Sequence, residues 1–316
     1  MNKLSIAVLS TLAIAGTVRA QDADTVTPSG IPIIHHPVMN GISWVRGYKN
    51  PIQSAIEEQM TNTTVSAKMV NHGGQIITMP IVKEIFWGTS WPSYHGDKMT
   101  GLGTWYKGFG SSHYANTSHE YTGTNGTVGN LLAFQGYVVD SSASTGGSST
   151  GPILAEVCKE ITAGKIVPDA NGRSYIPVYT DTPRGGANFC AWHSAGSCQY
   201  NGQWVTLQFA YFFDLDGDPG CDPQDSETGH SQGLAALANV SGHELSESRT
   251  DPWISTWYDA AGQENGDKCA WTFNVPYVTF SNASIWKIQG EWSNGAYVGN
   301  RGYPNASGQL GCLDGH

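Results

Sequence analysis

Apolar positions along the chain fall into short dense blocks separated by sequence rich in glycine, proline and hydroxyl side chains, and each block carries its own period. Ile81 to Trp87 is rich in β-branched and aromatic residues and closes on Gly88, which predicts the first core strand. Between Asp97 and Phe109, Met99, Leu102, Trp105 and Tyr106 recur at helical spacing, so a short helix follows. Asn130 to Asp140 predicts a second strand, and the run from Ser141 to Gly151 a flexible connection. Pro152, suited to a first helical turn, opens a helix from Ile153 to Ile161. Ser174 to Thr180 reads as a third strand, and Pro177, which has no N–H to donate, places it at an edge or a bulge. Trp204 to Phe213 is a fourth, strongly aromatic strand. From about Ser231 to Arg249, Leu234, Leu237, Ala238, Ser241 and Leu245 form one small and apolar helical stripe. The order of blocks predicts an α+β fold with a twisted mixed sheet lying across this last helix. Gln21 to about Asn71 sustains no period and is broken by Pro28, Pro32 and Pro37, so residues 21–71 read as an N-terminal, propeptide-like extension to a body at 72–316. Its His35 and His36 are adjacent and do not face one another, which argues against a metal pair.

Composition places this chain outside the cell. Lys3, the apolar run Leu4 to Ala15 and the small-residue site Val18-Arg19-Ala20 make residues 1–20 a secretory signal peptide, too short an apolar run to span a bilayer. A formal charge of −10 disfavours nucleic acid and anionic membranes as partners. Charged residues are only 13% of the chain while Gly, Trp and Tyr abound, as suits a loop-rich extracellular monomer. Six cysteines, Cys158, Cys190, Cys198, Cys221, Cys269 and Cys312, imply disulfides in an exported chain. Asn62, Asn116, Asn125, Asn239, Asn282 and Asn305 carry glycosylation sequons for a eukaryotic source, with Asn239 inside the predicted helix.

Chemistry concentrates in Gly242-His243-Glu244-Leu245-Ser246-Glu247-Ser248-Arg249-Thr250-Asp251-Pro252. Residues four apart share a helix face, so the His243 imidazole and the Glu247 carboxylate can meet on one ion with Glu244 beside it. The pattern is similar to the HExxH helix of zinc peptidases, in which the intervening Glu is the general base, with Glu247 in place of the second His. Carboxylate oxygen is an acceptable zinc ligand, but its charge weakens the Lewis acid. In gluzincins a third carboxylate ligand arrives from a separate downstream segment, and Asp267 lies at that kind of separation, with Glu264 close by. Asp267 is the favoured third ligand, because Gly266 lets the backbone pass close to the metal and Cys269 can pin it by a bridge to Cys312. Asp251 precedes Pro252 and is expected to turn away as a cap or supporting partner. Cys190 is expected to pair with Cys198 or Cys221. Asp214, Asp216, Asp218, Asp222 and Asp225 are spaced as in an EF-hand Ca²⁺ loop, although Pro219 stands where that loop needs Gly.

Together these motifs resemble the phosphate-induced protein (exordium-like) family and its secreted relatives over roughly residues 75–312. The resemblance rests on Ile85-Phe86-Trp87-Gly88, Phe189-Cys190-Ala191-Trp192-His193-Ser194, and Tyr211 through Pro223. It continues in the GHELSESRTDP helix, Trp257-Tyr258-Asp259, Gly262 to Cys269, and Gln289 through Asn294. Relatives commonly read Glu-Ile-Gly-Asp where this chain has Glu264-Asn265-Gly266-Asp267. The resemblance implies a zincin-like, disulfide-stabilised extracellular protein. Two functions are compatible with it: a zinc metallopeptidase acting on extracellular protein or peptide, or a non-catalytic protein that binds a matrix or cell-wall polymer. For the second, Trp91, Tyr94, Trp105 and Tyr106 are the aromatic candidates for stacking on sugars. A Ser-His-Asp hydrolase is disfavoured, since Gly110-Ser111-Ser112-His113 lacks the nucleophile-elbow pattern.

Overall fold

The computed structural model describes residues 26–48 and 67–316. The predicted signal peptide and the Asn62 sequon lie outside the described residues. The sheet is built from β1 (Asn40–Trp44), β2 (Ile81–Trp87), β3 (Ala133–Asp140), β4 (Ser174–Pro183), β5 (Phe189–Tyr200) and β6 (Gln203–Asp214), in the order β1-β5-β6-β4-β2-β3. Pairs among β6, β4, β2 and β3 are parallel, whereas β5 runs antiparallel to both β6 and β1. Helices α1 (Lys98–Phe109), α2 (Thr150–Thr162) and α3 (Gln232–Thr250) complete the frame. The expected α+β class with a mixed sheet is what the chain forms.

Successive strand residues point to opposite faces, and on β5 this alternation decides the architecture. Cys198 is bonded to Cys158 of α2, and Gly196 lies so close to Leu154 of α2 that a side chain there would collide with it. His193, one step out of phase, points to the other face and meets Glu247 of α3. On that face the packing is aromatic and hydrogen-bonded at once. Phe86, Tyr179 and Phe212 stack, and the Tyr179 hydroxyl joins Tyr106 at 2.9 Å and Ser241 of α3 at 2.8 Å.

Several expectations need correction. β4 is a central strand, with Pro177 paired to Ala210. A proline removes one donor on one side of a strand, and full burial of this aromatic strand outweighs that loss. β5 was not foreseen as a strand, nor was β1. The extension packs lengthwise on the edge of β5: Ile31 and Ile34 are buried with Ala195 and Trp253, and Ile34 exchanges hydrogen bonds with Ser197. Thr150 and Gly151, placed in the flexible run, already belong to α2. Asn239 is fully buried and accepts a hydrogen bond from the Gln289 amide, so it is no glycan acceptor in the folded chain.

Three disulfides close the fold: Cys158–Cys198, Cys190–Cys221 and Cys269–Cys312. They fit an oxidising, extracellular setting. Among the described residues no helix is long and apolar enough to cross a membrane.

Candidate metal centre

α3 is positioned from both ends. Ser231 caps it by accepting from the Leu234 amide and is itself held by Asp97, to whose carboxylate its amide and hydroxyl donate. At the far end Asp251 leaves the helical conformation before Pro252, and its Oδ1 accepts from the Ser255 and Thr256 amides at 2.7 Å each. Asp251 therefore ties the exit turn, and no cation-binding group among the described residues includes it. Although α3 is poor in apolar side chains, every residue from Gly233 to Thr250 is buried. A polar helix placed in an interior costs stability unless its groups find partners. Several do not: His243 Nε2, Glu244 Oε2 and Glu247 Oε2 are buried with no hydrogen bond.

His243, Glu247 and Asp267 bring one ligand atom each within 4.8 Å of the others. His243 Nε2 lies 3.2 Å from Glu247 Oε1 and 3.7 Å from Asp267 Oδ1. Asp267 opens a single 3₁₀ turn, Asp267–Cys269, that the bridge to Cys312 anchors. Its amide donates to Glu247 Oε1 at 2.8 Å, and its own Oδ2 accepts from the Glu264 amide. Gly266 is required for closeness: a Cβ there would stand 2.9 Å from Glu247 Oε1 and 3.1 Å from the His243 ring. On the ring's other side Gln289 Nε2 meets His243 Nδ1 at 3.1 Å and the Gly266 carbonyl at 2.8 Å. In a neutral ring Nδ1 accepts from this amide and the proton lies on Nε2, facing Glu247. A ring that held a cation through Nε2 would carry its proton on Nδ1 instead and would need the Gln289 amide turned to present its oxygen.

The structure adds a residue that sequence reasoning left without a role. His193 of β5 is buried, its Nε2 3.7 Å from Glu247 Oε2 and 3.4 Å from Glu264 Oε2. With Glu244 and Glu247 it forms a second group whose ligand atoms lie within 4.8 Å. A signal for it was available. Asn201-Gly202 is a two-residue hairpin turn with both φ positive, and it joins two strands with His193 opposite Ala210. Glu264, the rival to Asp267, is brought in on this second side, where Asn40 Nδ2 donates to its Oε2 at 2.7 Å. Asn265 is fully buried, bonded to the Thr250 hydroxyl and to Ser118.

Burial and crowding of like charge set the electrostatics. Burial, reinforced by the charges of Glu247 and Asp267, raises Glu244 well above the usual carboxylate range, against the opposing pull of His243. Burial and then Glu247 do the same to Glu264, and they push Asp267 up to about 8. Desolvation works against charge on His243, yet Glu247, Glu244 and Asp267 outweigh it and raise the ring to about 10. Desolvation wins at His193, which falls to about 4 and is neutral near pH 7. The pocket thus carries more acid than its imidazoles can balance.

β1 roofs this pocket. The Ser43 amide reaches Glu244 Oε1 at 3.3 Å, and Gly41, at φ +46°, lies against His193 and Glu247, where any side chain would overlap both. Of the five aspartates of the expected Ca²⁺ loop, none enters a cation-binding group among the described residues. Lys98 Nζ sits between Asp214 and Asp216 at 2.9 and 2.7 Å, Arg184 holds Asp218, and Asp222 and Asp225 accept backbone amides. A third acidic group, Asp140, Glu156 and Glu160, is engaged by Lys159 and Lys165. Comparison of the chain with protein-family models and with curated proteins gave no match.

Proposed function

We propose that the chain is an exported metal-dependent hydrolase of the zincin kind, acting on extracellular protein or peptide, with His243, Glu247 and Asp267 as ligands of a Zn²⁺ and Glu244 as general base. The observation that carries this reading is the convergence of those three side chains, from a helix and a separate pinned turn, on one buried point. One nitrogen and two carboxylate oxygens suit zinc at a site that keeps a position open. When bound, the ion supplies Lewis acidity toward a scissile carbonyl.

This chain's own groups do the rest. Ser43 holds Glu244 by Oε1 and leaves Oε2 without a partner, so that oxygen can take a proton. The raised pKa of Glu244 makes it a stronger base than a solvated carboxylate. Gln289 and Gly266 fix the His243 ring, and the Asp267 amide orients Glu247.

One observation favours a second reading, a matrix or cell-wall binding protein without turnover: Glu244 and Glu247 are 0% exposed beneath β1. Of the aromatic residues expected to stack on sugars, Trp91, Trp105 and Tyr106 are buried and only Tyr94 is partly exposed, so they add little to it. The deciding experiment is zinc analysis of the purified protein together with hydrolysis of a peptide mixture, before and after chelation and in Glu244→Gln. Zinc at the His243 position that survives the substitution, with hydrolysis abolished, supports the mechanism. Undiminished hydrolysis in Glu244→Gln refutes it, and a folded protein that takes up no metal leaves the binding reading.

A further inference from the structure

We infer that the pocket holds a second divalent-cation position, built by His193, Glu244 and Glu247, with the Glu247 carboxylate bridging the two ions. The first ion is the one assigned above, and the inference rests on that reading for it alone. The two oxygens of Glu247 serve opposite halves of the pocket. Oε1 faces His243 and the Asp267 amide, whereas Oε2 faces His193. A carboxylate used in this way sets two ions about 3.5–4 Å apart, the spacing of two-ion hydrolytic centres.

Independent of the acidic cluster, the second half contains buried donors with nothing to bind. Nε2 of His193, Oε2 of Glu244 and Oε2 of Glu247 lack hydrogen bonds, and all three residues are no more than 1% exposed. Natural interiors rarely leave even one such group alone, so several aimed at one point indicate a ligand. Glu264 adds a further oxygen, since its Oε2 is 3.4 Å from His193 Nε2 and its Oε1 is unpartnered. Charge leads to the same count. Of the four carboxylates, Glu247, Glu264 and Asp267 pair among the described residues with His193 or His243 only, and Glu244 has no ion pair. One divalent ion balances two of them and a second balances the rest. Gly41 contributes by omission, as any side chain at that place on β1 would fill the gap between His193 and Glu247.

The experiment is a metal titration of the full chain, stripped by chelation and reloaded with Zn²⁺ alone, read by calorimetry and elemental analysis. Electron paramagnetic resonance of the chain loaded with Mn²⁺ alone accompanies it. Two ions per chain and an exchange-coupled Mn²⁺ pair are expected, falling to one uncoupled ion in His193→Gln. A single ion in the native chain overturns the inference and leaves the His243 site standing. No bound ion overturns both, and two ions in His193→Gln overturn the assignment of His193. The native chain decides the count even where the variant fails to fold.

Discussion

Gly41→Ala tests the seat of β1 over the metal centre. Gly41 has φ +46°, and a Cβ there would overlap the His193 ring and Glu247 Oε2. The left-handed conformation costs an L-residue about 1–2 kcal/mol. Overpacking of a filled site adds roughly 1–3 kcal/mol. Gly47 supplies the control on the same segment: it has φ +77° and nothing within 4 Å of where its Cβ would lie. Gly47→Ala therefore carries the conformational cost alone, about 1–2 kcal/mol, and the difference between the two variants isolates contact with the site. At about 2–4 °C per kcal/mol for a domain of this size, a total near 3 kcal/mol lowers the melting temperature of Gly41→Ala by about 6–12 °C. Differential scanning calorimetry of the full chain reads both. Equal melting temperatures for Gly41→Ala and Gly47→Ala would show that β1 does not press on His193 and Glu247.

The remaining predictions concern ligand choice, linkage and covalent closure. Asp267→Asn loses the zinc held by His243 while Glu264→Gln keeps it, by elemental analysis with folding checked in parallel; loss in Glu264→Gln alone would exchange their roles. Glu291, buried yet bonded to the Tyr114 hydroxyl, is raised to about 8, so the folded chain keeps a proton that the unfolded chain loses near pH 4.3. Its contribution to stability consequently falls as pH rises from about 4.3 to about 8. Glu291→Gln should flatten that slope in urea unfolding of the metal-free protein, and an unchanged slope would contradict the assignment. Replacing Cys269 and Cys312 by Ala opens a closure of 43 residues. Chain entropy sets the cost at about 4 kcal/mol, measured as a lower urea midpoint; a loss under about 1 kcal/mol would argue against this bridge in the folded chain.

Local pattern was enough for much of this protein. β2 spans Ile81–Trp87 as its composition indicates, and α1 and α3 follow their apolar spacing. Helical periodicity alone places His243 and Glu247 on one face, because residues four apart must share it. The bridge between Cys269 and Cys312 was also legible, while Cys190 bonds Cys221 and leaves Cys198 to Cys158. What sequence could not give is anything set by contacts across long separations. Pro177 marks an edge by local rule, yet β4 is central because the crossovers place β2 and β6 on its two sides. Asn40, Gly41 and Ser43 read as featureless extension, and they become the roof of the site only when β1 pairs with β5. His193 lies 50 residues before His243, and no period links a strand residue to a helix residue. Only packing the far face of β5 against α3 turns a lone buried histidine into the partner of Glu247, since a side chain's ligand role depends on what shares its volume and not on its neighbours in the chain.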